Sequence, residues 1–231
     1  MAKKVYVIKK GADPKTGDPV ENLILEKPWS EVEPFVKGVA GAIYKGFKTR
    51  EEAECYLSLN GGEGDSETGL EPEALHCFVD GSYNKEIQNY GYGLVCVKDG
   101  KVVHTDRGVG KNSLAVGMLQ VGGELLGAMK ALLYAKKTGE SFVVIHHDYE
   151  GVGKHATGEW SRKTDHSKTY YEWMQRFFRE NPTIRVKFRK VTAHSGNDFN
   201  ELADGYAKLA VWLKPAPVFY RMAEKHQTPV I

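Results

Sequence analysis

The chain of 231 residues has little cysteine, only Cys55, Cys77 and Cys96. The three lie far apart and never in a C-x-x-C spacing, which argues against a zinc ribbon and against a disulfide scaffold. So few thiols are typical of a reducing compartment. We therefore expect a cytoplasmic protein.

Long apolar runs are also missing, and none approaches the length needed to cross a membrane. Met1 to Lys4 leads directly into a strand-like pattern, so we expect neither a signal peptide nor a membrane partner. Charge of one sign is not in excess, because the formal net charge is only +2. Any surface that binds nucleic acid must therefore be local.

Composition and periodicity divide the chain into four segments. Residues 1–58 contain short strand candidates and a capping box at Ser30, which predict a compact α/β unit. Residues 59–73 are rich in glycine and acids without periodicity, as in a flexible linker. Residues 74–214 form the main domain. Residues 215–231 are proline-containing, and we expect an extended tail there.

The main domain alternates strand-like and helix-like patterns. We predict strands at 75–80, 90–98, 101–109, 142–147 and 184–191, and helices at 121–137, 149–155, 167–180 and 200–213. This order implies an α/β fold in which an antiparallel meander leads into a parallel crossover. The expected architecture is a mixed five-stranded sheet flanked by helices.

Acidic residues follow two of these strands. Asp80 ends the first strand of the main domain and Asp148 ends the fourth. If the two strands are neighbours, both carboxylates lie at one edge of the sheet. Glu124 lies at the border of the apolar stripe of the intervening helix, where Gly122 and Gly123 permit close backbone approach. Taken singly, each acid also fits a turn, a cap or a surface charge.

Asp204 is in the first turn of the last predicted helix, and a helical wheel places it in solvent. Were it to join the other three, four carboxylates could not all stay ionised without cations. Oxygen-only ligands suit Mg²⁺ or Mn²⁺, and two such ions form the clamp used in phosphodiester hydrolysis. His194, in the preceding loop, could move protons or could be an ordinary loop histidine.

His146 and His147 raise the alternative of a transition-metal site. Adjacent residues in a strand point to opposite faces of the sheet, so they cannot share one ion. We therefore predict that both histidines are structural.

The acidic motifs together resemble type 1 ribonuclease H. The segments that support the resemblance, over about residues 74–213, are Phe78–Ser82, Gly123–Leu125, His147–Glu150, His194–Gly196 and Asn200–Asp204. The resemblance implies an endonuclease that cuts the RNA strand of RNA–DNA hybrids. It implies Asp80, Glu124, Asp148 and Asp204 as ligands of two Mg²⁺ or Mn²⁺ ions, with His194 assisting proton transfer or product release.

Residues 1–58 resemble the hybrid-binding, viroplasmin-like domain that precedes many ribonucleases H. The matching positions include Tyr6, Trp29, Tyr44 and Lys45. The resemblance implies that these four side chains bind the backbone of the duplex. Packing of Tyr6 and Trp29 into the small core remains an alternative.

The expected partner is an RNA–DNA hybrid, bound with little sequence specificity because phosphate contacts carry no sequence information. Only RNA offers 2′-hydroxyls, which Gly81, Ser82 and Asn84 could recognise, with Gln120 as a further contact. A monomer is expected. Two alternatives stay open: an exonuclease or transposase-like enzyme on the same sheet, and a binding module without catalysis.

Overall fold

A computed structural model describes residues 4–59, 70–110, 117–191 and 197–230 of the chain. The chain divides into two compact units, Met1–Gly64 and Asp65–Ile231. The predicted linker falls largely outside the described residues. The elements of the first unit are β1 (Val5–Ala12), β2 (Pro19–Glu26), α1 (Trp29–Val32), a 3₁₀ turn (Glu33–Phe35), β3 (Ile43–Phe47) and α2 (Arg50–Leu59).

The first unit is built on an antiparallel sheet of order β2-β1-β3. Side chains alternate across β1, so Val5 and Val7 pack with Phe47 under α2, while Ile8 faces Val32 and its neighbours. Strand β2 was not predicted, because its side chains are mostly exposed or half-buried and show no clean apolar alternation.

The second unit contains the larger sheet. Its elements are β4 (Leu75–Asn84), β5 (Asn89–Lys98), β6 (Lys101–Val109), α3 (Gln120–Thr138), β7 (Phe142–His147), α4 (Gly151–Ala156), α5 (Asp165–Glu180), β8 (Arg185–Lys190), α6 (Asp198–Ala210) and α7 (Pro217–Lys225). The five strands have the order β6-β5-β4-β7-β8. The first three are antiparallel and the last three parallel, which confirms the predicted mixed sheet.

Strand β4 is central and faces a helix on each side. Phe78 packs with Leu202 and Ala203 of α6. Val79 points the other way, towards Gly127 of α3. By the same alternation Asp80 lies on the α6 side of the sheet and Gly81 on the α3 side.

The prediction of an extended C-terminal tail is wrong, because residues 217–225 form helix α7. Pro217 occupies the first turn, where proline is compatible with a helix because the first amide has no intrahelical partner. Phe219 and Ala223, four residues apart, are both buried against the core beside α6. Within the described residues, no helix is long and apolar enough to cross a membrane.

Candidate active site

Because β4 and β7 pair in parallel, Asp80 and Asp148 lie at the same level along the strand direction. Phe78 pairs with His146, and each acid lies two residues further along the chain, Asp80 within β4 and Asp148 directly after β7. Their carboxylates meet at this edge of the sheet, with ligand atoms within 4.8 Å of one another. Asp80 Oδ1 also accepts a 2.7 Å hydrogen bond from the amide of Gly81.

Glu124 reaches this edge because α3 packs directly on the backbone of β4. A Cβ atom at Gly81 would lie 1.9 Å from the carbonyl oxygen of Gln120, and one at Gly123 would lie 2.0 Å from that of Gly91. Glycine is therefore required at both positions. The Glu124 side chain is buried, and its Oε2 accepts a 3.2 Å hydrogen bond from the amide of Tyr149.

Asp204 lines the same cleft from α6, so the helical-wheel placement of this residue in solvent is wrong. Its side chain is 14% exposed, and its Oδ2 accepts a 2.6 Å hydrogen bond from Lys208 Nζ. The wheel fails because it considers α6 alone. The helix packs over β4 and β5, and Asp204, next to the buried Ala203, faces the cleft instead of open solvent.

The clustered charges change how the acids titrate. Burial, then the charges of Asp148 and Asp204, raise the pKa of Asp80 from 3.8 to about 8. Burial, then the charges of Asp148 and Asp80, raise the pKa of Glu124 from 4.5 to about 9. Without a cation, both groups therefore hold a proton at neutral pH.

The same crowding fits a divalent cation. Ligand atoms of Asp80, Glu124 and Asp148 all lie within 4.8 Å of one another, and no other such cluster occurs in the described part of the chain. The donors are all carboxylate oxygens, which suit Mg²⁺ or Mn²⁺ better than a soft transition metal. A bound cation would displace the protons that Asp80 and Glu124 hold at neutral pH in its absence.

The cleft around the acids has a volume of about 630 Å³. Of the predicted nucleic-acid contacts, Gly81 and Gln120 line it. Ser82 and Asn84 are buried. The Asn84 side chain donates to the carbonyl of Val211 and accepts from the amide of Glu86, so its polar atoms already have partners. His194 lies outside the described residues.

Three further residues of the site were missed by sequence reasoning. Tyr149 and Lys190 also line the cleft, and Lys208 pairs with Asp204. The spacing of Asp204 and Lys208, one helical turn apart, is a signal that could have identified Lys208. Lys190 ends β8, and its position in the cleft depends on the pairing of β8 with β7.

The histidines of β7 pack in the interior. His146 Nε2 lies 2.9 Å from His76 Nδ1, and its ring stacks on Phe78 at a centroid distance of 4.2 Å. His147 packs edge-on against Phe188. The two rings thus point to different neighbours, as the alternation of a strand requires.

In the first unit, three of the predicted contacts form one aromatic cluster. The ring centroids of Tyr6 and Trp29 are 5.4 Å apart, and those of Trp29 and Tyr44 are 5.1 Å apart. Tyr44 is 48% exposed, whereas Tyr6 and Trp29 pack partly against the core. Lys45 lies on the other face of β3, with its Nζ 5.2 Å from the centroid of the Tyr56 ring.

Known proteins match both units. Residues 27–57 match the family model of the ribonuclease H1 N-terminal domain. No curated protein matches the chain. Ribonuclease H1 from the halophilic archaeon Halobacterium salinarum is 19% identical, with a TM-score of 0.50 over 60% of this chain and 97% of that one.

Two other solved structures are similar. LC11 ribonuclease H1, solved in complex with an RNA/DNA hybrid, is 15% identical, with a TM-score of 0.49 over 59% of this chain and 99% of that one. A ribonuclease H domain from Desulfitobacterium hafniense is 36% identical, with a TM-score of 0.32 over 63% of this chain and 94% of that domain.

The family model covers α1, β3 and most of α2 in the first unit, and the archaeal protein shares the fold of the second. The chain therefore resembles type 1 ribonuclease H, with the ribonuclease H1 N-terminal domain in its first unit and the ribonuclease H fold in its second.

Proposed function

We propose that this protein is an endoribonuclease that hydrolyses the RNA strand of RNA–DNA hybrids by two-metal-ion catalysis, with little sequence specificity. The observation that supports this most is the convergence of Asp80, Glu124 and Asp148 within 4.8 Å, with Asp204 in the same cleft. A protein that only binds polyanions gains nothing from clustered negative charge, because the charge repels phosphates.

The four carboxylates would hold the cations, Mg²⁺ or Mn²⁺. When bound, such ions activate the attacking water and stabilise the leaving oxygen. The protein keeps two of the ligands in place beforehand: the amide of Tyr149 holds Glu124, and the amide of Gly81 holds Asp80. His194 is proposed to assist proton transfer or product release.

Discrimination between RNA and DNA is proposed to occur at the rim of the cleft. Gly81 exposes backbone there, and the exposed Gln120 can exchange hydrogen bonds with a 2′-hydroxyl. Asn84 is not part of this proposal, because its side chain is buried and donates a hydrogen bond to the carbonyl of Val211. Lys190 Nζ lies 3.3 Å from Glu150 Oε1, and Lys190 is proposed to exchange this exposed pair for a phosphate at the cleft.

The first unit is proposed to bind the hybrid through Tyr44 and Trp29, with Tyr6 supporting them from the partly buried side of the cluster. Aromatic faces stack on sugars and bases of any sequence. Because Lys45 lies on the opposite face of β3, it would need a separate phosphate contact.

The test is cleavage of an end-labelled RNA–DNA hybrid, matched double-stranded RNA and matched double-stranded DNA, each with Mg²⁺, Mn²⁺ or EDTA. We expect metal-dependent internal cuts in the RNA strand of the hybrid alone. Release of mononucleotides only, from a hybrid whose RNA strand is uniformly labelled, would favour an exonuclease. Hybrid binding without turnover under either metal would mean that the protein is a binding module.

A further inference from the structure

The C-terminal segment lies along the helix that bears Asp204. We call residues 217–230, which comprise α7 and the residues after it, the C-terminal clamp. Phe219 of the clamp is 1% exposed and belongs to the same core cluster as Leu202 and Ala203 of α6. Clamp and helix are therefore one packed unit.

The closest approach is at the residue that follows Asp204. A Cβ atom at Gly205 would lie 1.9 Å from Cδ2 of the Phe219 ring. The ring therefore occupies the space of a side chain and rests on the α6 backbone itself. It also meets the ring of Tyr206 edge-on, at a centroid distance of 5.3 Å.

Hydrogen bonds fix the clamp to α6 at two places, one on each side of the contact between Phe219 and Gly205. At the first turn of α6, Asp198 Oδ2 accepts hydrogen bonds from Lys225 Nζ at 2.5 Å and from His226 Nε2 at 2.9 Å. Further along α6, the hydroxyl of Tyr206 donates to the carbonyl of Pro229. The clamp thus fixes both the start of the helix and the turn that contains Asp204.

The opposite side of α6 is fixed by the sheet. A Cβ atom at Gly93 would lie 2.0 Å from the carbonyl oxygen of Ala203, so backbone meets backbone there. Ala203 and Gly205 flank Asp204 in sequence. The backbone around Asp204 is therefore held between β5 on one side and the Phe219 ring on the other.

We propose that Phe219 is a positioning residue for Asp204, and that the C-terminal clamp sets how well this carboxylate completes the metal site. The inference rests on the proposed function, because it takes Asp204 to be a metal ligand. A shorter side chain at position 219 leaves a space on one side of α6. The helix can then shift away from the sheet, and Asp204 with it, while the other three carboxylates stay in place.

The test compares Phe219→Leu with Phe178→Leu, a matched loss of a buried ring in α5. The dissociation constant of Mn²⁺ is measured by calorimetry on the full chain, well below each variant's melting temperature, together with the rise in melting temperature that Mn²⁺ causes. We expect Phe219→Leu to weaken Mn²⁺ binding about tenfold and to reduce that rise. Phe178→Leu should lower the melting temperature without changing Mn²⁺ affinity.

A second variant covers the case in which Phe219→Leu does not fold. His226→Ala removes one partner of Asp198 at the half-buried end of the clamp and should weaken Mn²⁺ binding by a smaller factor. Equal Mn²⁺ affinity in wild type, His226→Ala and Phe219→Leu would overturn the clamp but not the proposed function. A wild-type protein that binds no Mn²⁺ and cleaves no hybrid would overturn both.

Discussion

Lys208 Nζ donates a 2.6 Å hydrogen bond to Asp204 Oδ2, so the protein supplies a cation of its own at the edge of the acidic cluster. This cation lies one helical turn from the carboxylate, and its side chain is 28% exposed. It balances part of the negative charge when no metal is bound. It also repels any divalent ion that Asp204 would bind.

Replacement of Lys208 by methionine should therefore tighten binding of Mn²⁺, by about three- to tenfold at low ionic strength. The reason is that the repulsion is removed while the apolar stem is retained. Calorimetric titration checks this, with Lys214→Met as a control for an exposed lysine outside the cleft. Weaker Mn²⁺ binding in Lys208→Met would mean that Lys208 mainly holds Asp204 in its binding position.

The raised pKa values predict an unusual stability profile for the metal-free protein. The pKa values of Asp80 and Glu124 rise from 3.8 and 4.5 to about 8 and about 9 on folding. A folded state that holds protons more tightly than the unfolded chain loses stability as pH rises between the unfolded and folded values. The buried histidines, whose pKa values are lowered on folding, oppose this effect below about pH 6.5, so the free energy of unfolding should fall from about pH 6.5 to about pH 9 in EDTA.

Thermal melts across that pH range test this prediction. Glu124→Gln removes one of the two groups, so its melting temperature should fall less with pH, while the exposed Glu73→Gln should follow the wild type. Saturating Mn²⁺ should raise the melting temperature most at high pH. A wild-type profile that does not change with pH would show that the acids are not crowded in solution.

The contact between α3 and the sheet predicts a sharp difference between two glycines. An alanine Cβ at position 123 would lie 2.0 Å from the carbonyl oxygen of Gly91, whereas at position 117 nothing lies within 4 Å. Gly123→Ala should lower the free energy of unfolding by about 2 kcal/mol or more, because backbone must move. Gly117→Ala should leave it unchanged within about 0.5 kcal/mol. Urea denaturation measures both.

The amino-acid sequence predicts part of this site and not the rest. Asp80 and Asp148 could be placed because each closes an apolar run, and local pattern is enough for that. The prediction that Asp80 ends its strand is wrong, because pairing with β5 continues β4 to Asn84. The burial of Glu124 depends on Gly81 and Gly123, which meet only through the packing of distant segments. Asp204 was misplaced because a helical wheel considers one helix alone, whereas the cleft that Asp204 lines is completed by residues of β4, α3 and the segment after β7.

The same dependence on tertiary packing explains why two elements outside the site, β2 and α7, were not predicted. Strand β2 is an edge strand with few buried side chains, so its sequence has little apolar periodicity. Helix α7 follows a proline, and it is stabilised by its contact with α6 more than by its own propensity. The role of His194 stays a prediction, because the residue lies outside the described ranges.

The aromatic cluster of the first unit predicts a binding defect without a catalytic one. Tyr44→Ala removes the most exposed ring of the cluster and should weaken binding of an RNA–DNA hybrid in EDTA about tenfold. Tyr44→Phe keeps the ring and should bind as the wild type does. The turnover rate at saturating hybrid should be equal in all three proteins. Unchanged affinity in Tyr44→Ala would assign Tyr44 to the packing of the small core.

The most direct test of the central claim is hybrid cleavage by Asp80→Asn in Mg²⁺, with hybrid affinity measured on the same protein. The matched control is Asp99→Asn, in a hairpin turn with a positive φ that asparagine also adopts readily. We predict no detectable cleavage by Asp80→Asn with hybrid binding intact, and wild-type cleavage by Asp99→Asn. Near-normal cleavage by Asp80→Asn would contradict a metal-dependent active site built on these carboxylates.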